Sequence, residues 1–286
     1  KLYGDLIMRN LRQIKDLIKN MGKEKNINAQ ILLRNYMLER LLERISLSEF
    51  KDKFILKGGM LVAAIVGVDM RSTIDMDATI KSYPVSMESI KSAFDAILSV
   101  SINDGVKIEL KKIEKIRDED DYNGFRVSLE ALMNDARIPL KVDITTGDKI
   151  TPKEVCYTFD LLLEDRSINI LAYNIETVIA EKLETIIARG IANTRMRDFY
   201  DIFILLKLQG NNIDKILLSK AVIGTSEKRG SLSVLSDGDV TLKEVFLSDI
   251  SYNHWIRYQK KYSYADDISW NDVKDSVLEL WNSIDV

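Results

Sequence analysis

The chain has 286 residues, 46% of them hydrophobic, with only 13 Gly and 3 Pro; this sets disorder aside and points to a folded, helix-rich protein of one large domain or two modest ones. Its 41 basic and 44 acidic residues leave a net charge of −3, so no overall positive field draws in nucleic acid. The single Cys156 and single His254 exclude an internal disulfide and a four-ligand Cys/His zinc site, which leaves the chemistry to carboxylates and lysines.

Leu6, Ile7, Leu11, Ile14, Leu17, Ile18 and Met21 recur mainly at spacings of three and four, one stripe of an amphipathic helix. Residues 28–46 follow with Ile31, Leu38, Leu42 and Ile45 on a second stripe and Asn28 as its cap, so a helical hairpin opens the chain. Phe54-Ile55-Leu56, then Lys57-Gly58-Gly59, then the apolar run from Met60 to Val66 predict strand, glycine turn and buried helix. Further strands are expected at 74–80, 106–116, 124–131, 138–145 and 167–172, with an amphipathic helix over 86–99. From Asn174 onward the pattern is helical, at 175–189, 196–209, 213–223, 251–261 and 270–284. The expectation is an α+β fold, with N-terminal helices and a mixed sheet over 1–173 and a helical C-terminal domain over 174–286. No uncharged apolar run approaches the ~18 residues of a membrane span, and Lys1 to Asn10 lack the order of a secretory signal. No membrane partner is therefore expected, and the cytoplasm is the default location.

The strongest local feature is Asp75-Met76-Asp77. On a strand the two carboxylates share a face, about 6.5 to 7 Å apart, and can converge on a hard divalent cation; the competing reading is a solvated acidic edge. Leu140, Val142 and Ile144 alternate with Lys141, Asp143 and Thr145. If that strand neighbours the first, three carboxylates can meet, a cluster tolerable only with cations or bound protons; otherwise Asp143 is an exposed strand position. Gly58 and Gly59 stand where a strand yields to a helix, so backbone can approach a ligand closely and helical N–H groups can face a phosphate. Lys182 falls on the inward face with Ile175, Val178, Ile179, Leu183 and Ile186; a buried ammonium needs a counter-charge or a phosphate, unless it snorkels to the edge. Asp198 is expected to point inward and pair with Lys182 or Arg197, and Asp201 to be a partner for a nearby base. Cys156 reads as a small buried hydrophobe, and His254, among Tyr252, Trp255 and Tyr258, as a packing or partner-binding residue.

In this order the blocks Lys57-Gly58-Gly59, Arg71-Ser72-Thr73-Ile74-Asp75-Met76-Asp77, Lys141-Val142-Asp143, Ala180-Glu181-Lys182-Leu183-Glu184 and Arg197-Asp198-Phe199-Tyr200-Asp201-Ile202 resemble the AbiEii/AbiGii toxins, nucleotidyltransferase-like proteins of bacterial abortive-infection and toxin-antitoxin systems. The resemblance implies a DNA-polymerase-β-like nucleotidyltransferase fold in which Asp75 and Asp77 hold Mg²⁺ and Gly58 and Gly59 touch the nucleotide phosphates. Arg71 and Thr73 fall in the nucleotide-binding set. Asp143 would be the third carboxylate, as metal ligand or as base; Lys182 would contact the triphosphate, and Asp198 would orient Lys182 or assist catalysis. The resemblance further implies an NTP substrate, an RNA acceptor, in particular the 3′ end of tRNA, and a cognate antitoxin that need not form a stable complex. One departure is that Gly58-Gly59 stands where the general pattern has Gly-Ser, so no serine hydroxyl is available there. The residues alone keep rival readings open: a small-molecule nucleotidyltransferase, a non-catalytic nucleotide-binding toxin, or a structural cation site. The basic strip of Lys107, Lys111, Lys112, Lys115 and Arg117 suits a phosphate backbone and equally a solvated strand face.

Overall fold

Helix α1 (Leu11–Glu24) and helix α2 (Ala29–Leu47) form the opening hairpin; the Asn28 side chain caps α2 by accepting the Gln30 N–H at 2.8 Å. The computed structural model describes residues 11–117 and 123–286; Leu6 and Ile7 of the first stripe, and the side chain of Arg117 in the basic strip, lie outside the described residues. Among these the chain folds into two compact units. The first takes in the described residues up to Ala64, with Ser72–Gly147 and Val155–Ala172; the second takes in Ile65–Arg71, Asp148–Glu154 and Tyr173–Val286.

The first unit is built on a mixed sheet of β1 (Phe54–Lys57), β2 (Met76–Ile80), β3 (Lys107–Arg117), β4 (Asn123–Met133), β5 (Ala136–Thr146), β6 (Val155–Asp160) and β7 (Ser167–Ala172), in the order β3-β4-β5-β2-β1-β7-β6. Helix α3 (Gly58–Val66) follows β1 directly, and α4 (Met87–Ser99) is closed by a capping box at Ser86 and Ser89. Strand β2 lies antiparallel to β1 and parallel to β5. The β4–β5 hairpin turns on Asn134 and Asp135, Asn134 taking a φ of 49°, a conformation that asparagine tolerates in a two-residue turn. Helix α2 packs on β5 and β7, burying Leu38, Leu41, Leu42 and Ile45. Four of its charged residues are buried too, three of them in ion pairs: Arg44 with Asp104 at 2.7 Å, Glu43 with Arg166 at 2.6 Å, and Arg40 with Glu164. Glu39 accepts the Leu162 N–H at 3.0 Å, and burial pushes its carboxyl up to about 8.

Two expectations are corrected here. No strand is expected at Val155–Asp160, yet β6 forms the sheet edge there, with Phe159 as its buried residue. Val155, Tyr157 and Phe159 do alternate with Cys156, Thr158 and Asp160, but of the apolar set only Phe159 is buried, because this edge strand is little covered. For the same reason Cys156 is exposed rather than buried.

In the second unit α5 (Ile175–Arg189) packs on α6 (Met196–Gln209) and α7 (Lys215–Arg229). Asn174 and Asp214 cap α5 and α7. The unexpected helices α8 (Leu232–Leu235) and α9 (Gly238–Leu247) are short, and Gly238 admits the Trp281 ring where a Cβ would collide. Helices α10 (Asp249–Lys261) and α11 (Trp270–Asn282) both pack on α6. Trp255, Trp270, Phe199 and Phe246 form an aromatic core with ring centroids 5.0–5.9 Å apart.

Candidate active site

Strand β2 starts at Met76 rather than at the expected residue 74, and it turns Asp77 away from Met76, Ala78 and Ile80, which are buried in the sheet's core. Asp75 precedes the strand and Asp77 lies on it, both half-buried. Register places Asp77 opposite Lys57 of β1 on one side and opposite Asp143 of β5 on the other. The Thr73 hydroxyl donates to Asp75 Oδ1 at 3.1 Å, while the Thr73 carbonyl accepts from Asn35 Nδ2 at 3.0 Å. Gly58 has a φ of +66°, and a Cβ at that position would overlap the Asp77 carboxylate; only glycine satisfies both demands without strain. The Gly59 N–H at the start of α3 donates to Asp77. The glycine turn thus cradles a carboxylate of the protein itself.

Charge is short of compensation around Asp77. Burial, with the negative charges of Asp75 and Asp143, pushes its carboxyl up to about 6 against the pull of Lys57 and the Gly59 N–H. Asp143 does not meet the other two carboxylates at a common point. Arg126, directly opposite on β4, takes both of its oxygens, Nε at 2.8 Å and Nη2 at 2.7 Å, and the pair raises the pKa of Arg126. Among the described residues no three His, Cys, Asp or Glu side chains gather closely enough to hold a metal ion. The expectation of three converging carboxylates is corrected in that respect: Asp143 is paired with the cross-strand arginine instead. Asp75 and Asp77 still supply the hard oxygen donors that a small divalent cation takes, and the raised pKa of Asp77 marks the negative charge that a cation offsets.

The second unit holds the remaining predicted residues in a closed ion cluster. Lys182, 9% exposed, places Nζ 2.6 Å from Asp201 Oδ2 and 3.2 Å from Asp198 Oδ1. Arg71 Nε lies 2.6 Å from Asp201 Oδ1, and Arg195 Nε lies 2.9 Å from Asp198 Oδ2. Burial opposes the charge on Asp201, but Arg71 and Lys182 outweigh it and hold the carboxyl below its ordinary value. Burial likewise opposes the charge on Lys182, and Asp201 and Asp198 raise its pKa regardless. Asp198 thus pairs with Lys182, as expected, and with Arg195 rather than Arg197. Asp201 is the partner of two bases. The Tyr200 hydroxyl donates to the Met70 carbonyl, tying the turn before Arg71 to α6.

Sequence reasoning missed Arg126. The signal was present: with the turn at Asn134 and Asp135, counting back along both strands of the hairpin brings Arg126 opposite Asp143. Elsewhere Lys107, Lys111 and Lys112 of the basic strip pair with glutamates at 2.6–3.0 Å on an exposed strand face, the solvated reading. Trp255 and Tyr258 are buried beside the half-buried His254, and Tyr252 is exposed.

Residues 40–276 match the family described as nucleotidyl transferase AbiEii toxin, type IV toxin-antitoxin system. Among solved structures, the chain is similar to MenT4, a nucleotidyltransferase toxin from Mycobacterium tuberculosis, with 13% identity, a TM-score of 0.56 and coverage of 94% of this chain and 97% of that one. It is also similar to JHP933 from Helicobacter pylori, with 19% identity, a TM-score of 0.46 and coverage of 90% of each chain. No curated protein matches the chain by sequence. Among the described residues no helix is long and apolar enough to cross a membrane.

Proposed function

The chain belongs to the AbiEii family of nucleotidyltransferase toxins of type IV toxin-antitoxin systems, and from that premise we propose that it transfers a nucleotide, with Mg²⁺, from an NTP to the 3′ end of an RNA, in particular tRNA, in phage defence. The observation that carries this reading is the set on adjacent strands: Asp75 and Asp77 at β2, with Asp143 in register on β5. When bound by Asp75 and Asp77, Mg²⁺ would offset phosphate charge and polarise the phosphorus under attack.

The protein's own residues do the rest. An acceptor hydroxyl oxygen bonds to the α-phosphorus, the bond from that phosphorus to the β-bridging oxygen breaks, and pyrophosphate leaves. Asp143 takes the proton from the attacking hydroxyl. Thr73 and Gly58-Gly59 act one step back, holding Asp75 and Asp77 in place. Lys182 donates to Asp198 and Asp201, with Asp198 as its orienting partner, so in the free protein its charge is taken up within the second unit. Capping an RNA end in this way stops translation, and the cognate antitoxin restrains the toxin.

The test is transfer of label from each α-labelled NTP, with Mg²⁺, to total bacterial RNA. Label in the size range of tRNA with the intact protein, and none with Asp75→Ala/Asp77→Ala, is the expected result. Label on a small molecule but on no RNA would overturn the acceptor assignment.

A further inference from the structure

We propose that Arg126 is a latch on the third carboxylate: it holds Asp143 while no substrate is bound, and passes to a phosphate of the incoming nucleotide when Asp143 is released. The inference rests on the nucleotidyl-transfer reading and adds a positioning residue to that site.

Arg126 and Asp143 face each other across antiparallel strands, so the sheet itself sets their approach. The contact is a fork of two parallel bonds, at 2.8 and 2.7 Å, the geometry in which a guanidinium also grips a phosphate. Their side chains are 44% and 21% exposed, so the pair is open to exchange and is not a sealed core pair. Arg126 also lies within the field of Asp75, and of Glu114 opposite it on β3. Its remaining nitrogen, Nη1, has no hydrogen-bond partner among the described residues. A positive group thus stands where a cation is needed, on a side chain long enough to swing away. Anything that binds between the carboxylates competes with Arg126 for Asp143. An arriving phosphate offers the displaced guanidinium an equivalent partner. In the free protein Asp143 is thereby neutralised beside Asp77, and binding of the nucleotide becomes coupled to release of Asp143.

The experiment compares wild type, Arg126→Gln and Arg126→Lys, all checked for an unchanged thermal transition. Mn²⁺ affinity is measured without nucleotide, by the relaxation of bound-water protons, and KM and kcat for the NTP are measured separately. With the latch removed, Arg126→Gln binds Mn²⁺ about fivefold more tightly, while its KM for NTP rises about tenfold. Arg126→Lys keeps the charge but loses the fork, and restores Mn²⁺ affinity better than it restores KM. In an Asp143→Asn background the Mn²⁺ gain from Arg126→Gln disappears. Unchanged Mn²⁺ affinity and unchanged KM in an active, folded Arg126→Gln protein would overturn the latch alone. Persistence of the gain in the Asp143→Asn background would also overturn it, in favour of a general field effect. A wild type that binds no Mn²⁺ and labels no acceptor would remove the transfer reading, and the latch with it.

Discussion

The chain holds two clusters of acids and bases that look alike in sequence and differ in physics. Around Lys182, the cations Arg71, Lys182 and Arg195 meet Asp198 and Asp201 at 2.6–3.2 Å. Both aspartates are almost wholly inaccessible, at 2% and 0% exposure. Around Asp77, the carboxylates of Asp75, Asp77 and Asp143 are half-buried, and burial with mutual repulsion pushes Asp77 up to about 6. The first cluster is compensated and closed, so each charge supports the next. The second is open and under-compensated at Asp77, Asp143 alone being held by Arg126, so it stores repulsion that a cation and a substrate relieve. Opposite charge alone therefore marks neither site; the degree of compensation distinguishes them.

The sharpest way to break this contrast is to remove the open cluster's acids. Asp75→Ala/Asp77→Ala is expected to lower nucleotidyl transfer by about a thousandfold or more while leaving the thermal transition of the free protein no lower than that of wild type. A clear loss of stability would make the acids structural. The closed cluster should answer in the opposite way. Asp201→Ala leaves Arg71 and Lys182 buried without their shared anion, and a cost of about 3–5 kcal/mol is expected in denaturant unfolding. A stability unchanged within error would show that those charges reach water by another route.

A smaller effect is expected at the glycine turn. Gly58→Ala must place a Cβ where the Asp77 carboxylate lies, at a φ of +66°. The cost expected is about 1–3 kcal/mol, with a loss of Mn²⁺ affinity that a replacement remote from the site does not produce.

The finest test is pH. Asp77 has an ordinary value of 3.8 and a folded value of about 6, so between these the folded state holds more protons than the unfolded one. Stability then falls as pH rises through that window. Asp77→Asn is expected to melt higher than wild type at pH 7 without divalent cations, and the gap to close below about pH 4. Glu39, raised from 4.5 to about 8, has the same sign over a wider window. Glu39→Gln should therefore flatten the fall between pH 6 and pH 8, where Asp77 no longer contributes. A melting curve of Asp77→Asn parallel to wild type over the whole range would break the account of the open cluster.

Much of this protein follows from the sequence by itself. Period and punctuation were enough for β1, the glycine turn, α3, β2 and the long helices α5 and α6, because the strands and helices each bury an apolar stripe or face. The same periodicity turned Asp77 away from the buried face of β2, and Lys182 and Asp198 inward, while Asp75 falls just before the strand. Only the tertiary structure decided which charges compensate which. Edge strand β6 escaped although Val155, Tyr157 and Phe159 alternate with their neighbours, because six residues at a sheet edge are told from a loop only by the strand beside them, and Cys156 was misjudged along with it. Arg126 escaped because its meaning depends on a partner 17 residues away across a hairpin. Arg71 and Asp201, 130 residues apart, are joined by packing that no local spacing encodes. A side chain's direction is set by its own strand or helix, but its electrostatic surroundings are set by whichever other elements the fold brings beside it.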